Sequence, residues 1–268
     1  METETISPKK VAFAPKPAAN IGRRGVGVNP LRGQNNVQGA ADMGCQPHQG
    51  AGYFPVADKK IQDFYTEKYG VVHPTKAGLK IPQIFDAAIN REVKAVWIIG
   101  EDVVQTDPNS AHVAKAMNAL DLLVVQEIFL SETAKHADVV LPGTTFLEKD
   151  GTFTNTERRV QRVNRAAKPL PGTKPDGVIV TEMMQKLGSN QPIYDADEVL
   201  AEIADVVPFF KGITRERLGK LGLQWPVKED GTDTKILHEK EFKLGKGRIK
   251  YFDWKESSEL EKNKKDFP

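Results

Sequence analysis

The sequence has almost no cysteine: Cys45 is the only one among 268 residues. A single cysteine cannot close a disulfide within its own chain. An iron–sulfur cluster usually takes four thiolate ligands, so this chain cannot hold one either. Any cluster that serves this protein is therefore expected on another chain. The five histidines show no metal-ligand spacing with one another or with Cys45, and we predict no metal ligand in the sequence.

The sequence also lacks a strong charge and a long apolar run. Its formal net charge is +2, which gives no reason to expect a nucleic acid or an acidic membrane surface as a partner. No apolar stretch approaches the roughly 20 residues that a membrane-spanning helix needs. Residues 1–20 contain no apolar core flanked by small residues, as a secretory signal would. We therefore expect a cytoplasmic protein without a membrane span.

The N-terminal part of the chain changes composition near residue 20. Residues 1–19 are rich in proline, alanine and lysine, which predicts a flexible leader. Residues 20–52 are rich in glycine and amide side chains, whose hydrogen-bonding geometry is well defined, and we predict an ordered binding loop. Within it, Arg32 offers a planar fork of donors that suits a small carboxylate or a phosphate. The alternative, a solvated surface arginine, fits this amide-rich context poorly.

Three apolar runs of strand length indicate a parallel sheet. The runs cover residues 95–99, 122–125 and 139–141, and helical segments are predicted between them, the first capped by Asn109 or Ser110 and the second opened by Ser131. Strands that are apolar on both faces and alternate with helices are typical of a parallel sheet with covered faces. The fold class is therefore α/β, with a parallel β-α-β-α-β unit like those that bind dinucleotides.

The remainder of the chain predicts a small α+β extension. Residues 151–163 alternate polar and apolar side chains, which favours a hairpin. Helices are expected at 176–187, with Val178, Ile179, Met183 and Leu187 facing inward, and at 197–206. Two short strands are expected within 241–254. The predicted organisation is a leader at 1–19, a cofactor-binding domain at 20–150 with an active-site loop at 27–44, the extension at 151–255, and a charged tail at 256–268.

The carboxyl ends of the predicted strands carry polar residues where an open parallel sheet binds ligands. Asp102 and Glu127 could accept hydrogen bonds from a guanine or from ribose hydroxyls, and Thr106 lies four residues past Asp102. Alternatively, Asp102 and Asp107 cap the following helix. Spacing leaves both interpretations open. Cys45 is expected to be a buried or half-buried thiol.

The segment 27–39, GVNPLRGQNNVQG, together with Asp-Met-Gly at 42–44, closely resembles a signature of formate dehydrogenase catalytic subunits. These subunits belong to the molybdopterin oxidoreductase superfamily, whose members bind two molybdopterin guanine dinucleotides. Further segments agree with the superfamily in order and spacing: IGED at 99–102, QTDP at 105–108, VVQEIF at 124–129, ADVVLP at 137–142 and EKDGTFTNTERRVQ at 148–161.

The resemblance implies a role for each matching residue. Arg32 matches the active-site arginine that holds the formate carboxylate beside the metal, and Gly33 and Gln34 match contacts to one pterin cofactor. A second set matches the positions around the guanine of the other cofactor: Gly100, Glu101, Asp102, Thr106, Gln126 and Glu127. Glu127 stands where many relatives have aspartate, which keeps the carboxylate.

The implied activity is oxidation of formate to carbon dioxide, or the reverse, at molybdenum or tungsten. The family's metal ligand, a cysteine or selenocysteine followed by histidine, lies upstream of the matching segments, and its iron–sulfur clusters also lie elsewhere. We therefore expect a companion chain that carries both. One alternative is a non-catalytic remnant or scaffold domain, against which the intact Arg32 loop argues. Another is a different molybdopterin enzyme such as a nitrate reductase, which residues 29–39 disfavour.

Overall fold

The computed structural model describes residues 31–228 and 230–239, together with the backbone of two short strands, Lys10–Val11 and Phe252–Asp253. Most of the predicted leader, most of the segment 241–254 in which two strands are predicted, and the charged tail lie outside the described residues.

The chain divides into two compact units. One unit consists of Met1–Leu31 and Lys235–Pro268, and in it the two short strands pair antiparallel. The other unit, Arg32–Thr234, contains the predicted sheet and every predicted site residue.

Strands and helices are numbered along the chain. The strands are β1 Lys10–Val11, β2 Gln49–Gly50, β3 Phe54–Pro55, β4 Ala95–Ile99, β5 Leu122–Glu127, β6 Val139–Pro142, β7 Gly151–Thr154, β8 Arg159–Val163, β9 Leu223–Gln224 and β10 Phe252–Asp253. The α-helices are α1 Val37–Asp42, α2 Lys59–Tyr69, α3 Ile81–Ile89, α4 Val103–Thr106, α5 Ser110–Asn118, α6 Asp176–Lys186, α7 Ala196–Val206 and α8 Arg215–Leu218. Short 3-10 helices occur at Ala51–Tyr53, Thr133–His136, Phe146–Glu148 and Pro208–Phe210.

The predicted parallel sheet is confirmed. Its strands lie in the order β4-β5-β6, with Ile99 opposite Gln126 and Glu127 opposite Pro142. Helix α5 begins after Asn109, whose side chain accepts a hydrogen bond from the His112 amide. The second connection is the 3-10 helix Thr133–His136.

One face of this sheet packs against helices. Ile98 of β4 and Leu123 and Val125 of β5 are buried among apolar side chains of α3, α4 and α5 and of the 3-10 helix: Phe85, Ala88, Val103, Val113, Ala116, Met117 and Ala134. The expectation that both faces are covered is met only in part among the described residues. On the other face Gln126 is buried, while Ile99, Leu122 and Val139 are exposed.

A second core lies around an antiparallel sheet. The hairpin predicted at 151–163 is confirmed as β7 and β8, with Gly151 opposite Val163, and β9 pairs with β8. The buried side chains here come from segments far apart in sequence: Tyr65, Val160, Leu200, Val206, Val207, Phe210, Ile213, Leu218 and Trp225. Residues that precede the parallel sheet therefore share a core with residues that follow it.

Several local predictions need correction. Leu187, predicted to face inward, is 81% exposed, because α6 ends at Lys186 and its buried side chains are Ile179 and Thr181. Cys45 is exposed and not buried. The loop at 27–44 contains the helix α1, which six residues are too few to reveal by periodicity. No helix among the described residues is long and apolar enough to cross a membrane.

We predict that Leu123→Ala lowers the free energy of unfolding by about 2–5 kcal/mol, because it leaves a cavity at a fully buried position. The control is Leu187→Ala, for which we expect a change within about 0.5 kcal/mol. Urea unfolding followed by circular dichroism measures both. Equal losses in the two variants would contradict the assignment of Leu187 to the surface.

Candidate functional site

Backbone hydrogen bonds bring the ends of the parallel strands together. The Gly100 amide donates to the Gln126 carbonyl oxygen at 2.9 Å, and the Gly143 amide donates to the Glu127 carbonyl oxygen at 3.0 Å. Gly100 has φ of 64°, a left-handed conformation that glycine adopts without strain. No atom lies within 4 Å of the position that a Cβ on Gly100 would take, so the space beside this turn is open.

At the carboxyl ends of the strands, Glu101 and Glu127 each use only one carboxylate oxygen in hydrogen bonds among the described residues. Glu101 Oε1 accepts a hydrogen bond from Thr106 Oγ1 at 2.6 Å, and Glu127 Oε1 accepts from the Ile128 amide at 2.7 Å. The Oε2 atoms of both glutamates have no partner among the described residues. They could accept from the amino and imino groups of a purine.

Asp102 is tied to a neighbouring loop. Its Oδ1 accepts from the amide and hydroxyl of Thr133, at 2.9 and 2.6 Å, and its Oδ2 accepts from Gln105 Nε2 at 2.5 Å and from the Glu132 amide at 3.3 Å. The side chain makes no capping bond to α4, the helix that follows it, so the capping alternative is wrong for Asp102. Burial acts to raise the pKa of Asp102, but these hydrogen bonds outweigh it and hold the pKa below its ordinary value.

The side chain of Gln126 bonds to an ion pair formed by Asp176 and Lys149. Its Nε2 donates to Asp176 Oδ1 at 2.7 Å, and Asp176 also forms an ion pair with Lys149. The other amide atom, Gln126 Oε1, is buried without a hydrogen-bond partner among the described residues, and so is the Thr144 hydroxyl. Buried polar atoms are rarely left unpaired, so the lone acceptor Gln126 Oε1 is consistent with a bound polar group.

The part of the loop that carries Arg32 is held by side chains at the start of α1. Arg32 Nε donates to Gln38 Oε1 at 3.2 Å. Asn36 Oδ1 accepts from the Thr154 amide at 2.9 Å, which fixes the start of α1 to strand β7. A Cβ on Gly39 would lie 2.1 Å from Asn36 Oδ1, so only glycine allows this approach. Arg32 and Gly33 are exposed, and so is Gln34, whose side chain bonds to no described residue.

Beneath the loop lies a buried carboxylate, Asp42, which is 0% exposed. Its Oδ1 accepts from Gln38 Nε2 at 2.8 Å and from the Tyr53 hydroxyl at 2.7 Å. Its Oδ2 accepts from Trp225 Nε1 at 2.8 Å. Burial raises the pKa of Asp42, while the three hydrogen bonds act against that rise. Burial and the nearby Asp42 also raise the pKa of Tyr53. Arg32, Gln38, Asp42, Tyr53 and Trp225 are called the Asp42 network below.

The predicted site residues thus form two groups. One group lies at the carboxyl ends of the parallel strands β4 and β5 and in the turn that follows β4: Gly100, Glu101, Asp102, Thr106, Gln126 and Glu127. Arg32, Gly33 and Gln34 lie on the loop, and among the described residues no hydrogen bond joins the loop to the sheet edge. A cavity of about 170 Å³ lies beside α1, between strand β7 and helix α7, and its walls are mostly apolar.

Sequence reasoning missed the buried partners of both groups. Asp42 stands in the recognised Asp-Met-Gly segment, yet nothing local indicates that Trp225, 183 residues away, binds it. Asp176 and Lys149 were missed for the same reason. Within the described part of the chain, no group of three or more histidine, cysteine or acidic side chains is placed to hold a metal ion.

Comparison with known families identifies the class of protein. A family description, "Molybdopterin oxidoreductase", matches residues 12–186, which is more than half of the chain. The chain therefore belongs to the molybdopterin oxidoreductase family, as the sequence segments predict.

Among individual proteins, formate dehydrogenase alpha subunits are similar to this chain. The chain is 44% identical over 256 residues to the F420-dependent formate dehydrogenase subunit alpha of Methanocaldococcus jannaschii, covering 93% of this chain and 37% of that protein. It is 46% identical over 222 residues to the F420-dependent formate dehydrogenase 1 subunit alpha of Methanococcus maripaludis, with coverages of 82% and 32%. The predicted resemblance to formate dehydrogenase catalytic subunits is confirmed.

Other similar proteins carry broader names. The chain is 41% identical over 244 residues to the probable oxidoreductase YjgC of Bacillus subtilis, covering 90% of this chain and 25% of that protein. The chain thus spans between a quarter and just over a third of these relatives' lengths. Among solved structures, acetylene hydratase from Pelobacter acetylenicus matches with a TM-score of 0.45 and 23% identity, over 58% of this chain and 22% of that one.

We predict that Asp102→Asn lowers the melting temperature, because the neutral amide is a weaker acceptor for the Thr133 amide and hydroxyl. The folded-state pKa of Asp102 lies below the unfolded value of 3.8, so its ionised form stabilises the fold at every pH above that value. This contribution is lost as the pH falls through the folded-state pKa. The difference between wild type and variant should therefore be constant down to about pH 4 and shrink below it.

Thermal unfolding between pH 7 and pH 3 measures this difference. Asp63→Asn is the control, since Asp63 is an exposed aspartate paired only with Lys59 on the same helix. A difference for Asp102→Asn that does not change with pH would contradict the ionised role.

Proposed function

We propose that this chain is part of the catalytic subunit of a molybdenum or tungsten formate dehydrogenase, which oxidises formate to carbon dioxide or runs the reverse reaction. The observation that carries the proposal is the Arg32 loop. It combines a signature of formate dehydrogenase subunits with an exposed arginine whose terminal nitrogens have no partner among the described residues. The names of the relatives support the same activity.

The residues present fit the cofactor that the family implies. In the proposed site, Gly33 and Gln34 contact one molybdopterin guanine dinucleotide. The open turn at Gly100, the Oε2 atoms of Glu101 and Glu127, and Gln126 Oε1 would surround the guanine of a second one. None of these oxygens has a partner in the described part of the chain. Thr106 holds Glu101, and Asp102 fixes this loop to Thr133.

The cofactor, when bound, supplies the redox chemistry that takes two electrons from formate. The contribution of the chain itself is positional and electrostatic. Arg32 binds the formate carboxylate through its planar fork of N–H donors and fixes the direction of the C–H bond. Its positive charge also stabilises a negatively charged substrate as water is excluded. No acid–base step is assigned to Arg32, because a guanidinium stays protonated.

We further propose that a companion chain supplies the cysteine or selenocysteine ligand of the metal and the iron–sulfur clusters. The one cysteine of this sequence, Cys45, is exposed and cannot fill those roles alone. The alternative of a remnant or scaffold domain makes the opposite prediction about metal content.

The purification test takes the tagged chain from its native cell, identifies its partners by mass spectrometry and measures bound metal. We expect a cysteine-rich companion together with molybdenum or tungsten, and formate oxidation by that assembly but not by the isolated chain. A metal-free chain without such a companion would establish the scaffold alternative instead.

In the assembled enzyme, Arg32→Lys is expected to raise the KM for formate about tenfold or more, because lysine keeps the charge but loses the planar fork. Steady-state kinetics with an artificial electron acceptor measure the change. Arg165→Lys, at an exposed arginine whose side chain bonds to no described residue, is the control and should leave KM unchanged. An unchanged KM for Arg32→Lys would contradict the carboxylate-binding role.

A further inference from the structure

All the side-chain hydrogen bonds around Asp42 are donated towards its carboxylate. Asp42 has no exposure to water, and both of its oxygens accept hydrogen bonds from neutral donors. In its ionised form a carboxylate can only accept. Every side chain that touches Asp42 must therefore present an N–H or an O–H to it.

This requirement decides which way the Gln38 amide points. Its Nε2 lies 2.8 Å from Asp42 Oδ1 and 2.9 Å from the Tyr53 hydroxyl oxygen, and it donates to both. A flipped amide would place its carbonyl oxygen against the carboxylate, where two acceptors repel each other. The carbonyl oxygen of Gln38 must therefore face the opposite side, where it meets Arg32 Nε at 3.2 Å.

The contact from Gln38 in turn restricts how Arg32 can bind a ligand. With Nε engaged, the side of the guanidinium formed by Nε and one terminal nitrogen is closed to a bidentate ligand. The remaining bidentate edge is the end formed by the two terminal nitrogens, which no described residue contacts. The arginine is exposed, while the amide that directs it is 6% exposed.

We propose that Gln38 is a positioning residue for the substrate arginine: its amide, oriented by buried Asp42, aims the terminal nitrogens of Arg32 at a small carboxylate. This inference rests on the proposed function and adds two residues to it. Tyr53 and Trp225 complete the shell of Asp42 but do not touch Arg32.

A purely structural role for the same network makes different predictions. If Gln38 only fastened α1 to its surroundings, its loss would lower stability and leave substrate binding by the folded enzyme unchanged. If Gln38 positions Arg32, its loss raises the KM for formate more than it changes kcat. Tyr53 separates the two roles. Its hydroxyl bonds to Asp42 and to Gln38 Nε2, but the bonds from Gln38 Nε2 to Asp42 and from Arg32 Nε to Gln38 Oε1 do not depend on it.

The test measures kcat and KM for formate in the assembled enzyme, alongside melting temperature and bound metal, for four variants. Gln38→Met keeps the length of the side chain but removes both the N–H donor to Asp42 and the carbonyl acceptor for Arg32. We expect KM for formate to rise about tenfold while the bound metal is retained. Gln38→Asn keeps an amide, but it is one methylene too short to reach both Arg32 and Asp42, and we expect it to raise KM as well. This second variant carries the test if Gln38→Met does not assemble. Tyr53→Phe should lower the melting temperature but change KM less than about threefold. Gln185→Met, at an exposed glutamine of α6, is the matched control, and we expect it to change neither the melting temperature nor the KM for formate.

The pattern of results separates this proposal from the proposed function. If Arg32→Lys raises KM and neither Gln38 variant does, the positioning role is overturned and the proposed function stands. If Tyr53→Phe raises KM as much as Gln38→Met, general disruption explains the result and the positioning role is again overturned. If Arg32→Lys itself leaves KM unchanged, the proposed function fails and this inference fails with it.

Discussion

A buried carboxylate must be matched by hydrogen-bond donors, and in this protein Asp42 imposes that condition on three separate parts of the chain. An ionised carboxylate is costly in an apolar interior unless hydrogen bonds surround it. The donors come from Gln38 in α1, from Tyr53 beside strand β3, and from Trp225 in the second core. The loop that carries Arg32 is consequently not an independent segment, because its shape depends on how the second core packs.

The strand-end group is built on a different principle. Gly100, Gln126 and Glu127 are adjacent because parallel strands in register end together, and backbone hydrogen bonds join these strand ends. Side chains add the finer adjustment, as where Asp102 joins the turn after β4 to Thr133 after β5. The molecule thus pairs a rigid sheet edge with a loop held by side-chain contacts. The formate dehydrogenase subunits that resemble this chain are much longer, and the chain covers about a third of each.

The sequence predicted those features whose causes are local. The strands at Ala95–Ile99 and Leu122–Glu127 were foreseen because continuous apolar runs between turn signals have few other uses. The site positions at the strand ends followed from the same pattern. Leu187 was misplaced because the helical period continues in the sequence one residue beyond the helix itself.

Features with distant causes were not predictable. Asp102 was weighed as a helix cap because its neighbours in sequence suggest one, whereas its partner Thr133 lies 31 residues away. The burial of Asp42 depends on Trp225, and no spacing rule connects positions so far apart. The direction of the Gln38 amide follows only when all of its neighbours are known.

The bond between Asp42 and Trp225 also bears on the order in which the chain folds. Contacts between residues 183 positions apart form only after the intervening chain has been gathered, because closing so long a loop costs entropy before any contact compensates for it. The β4-β5-β6 unit needs no such closure and can form from neighbouring segments. The loop around Arg32 should therefore become ordered late, when the second core is complete. A chain in which Arg32 is correctly held is therefore one in which the second core around Trp225 has already folded.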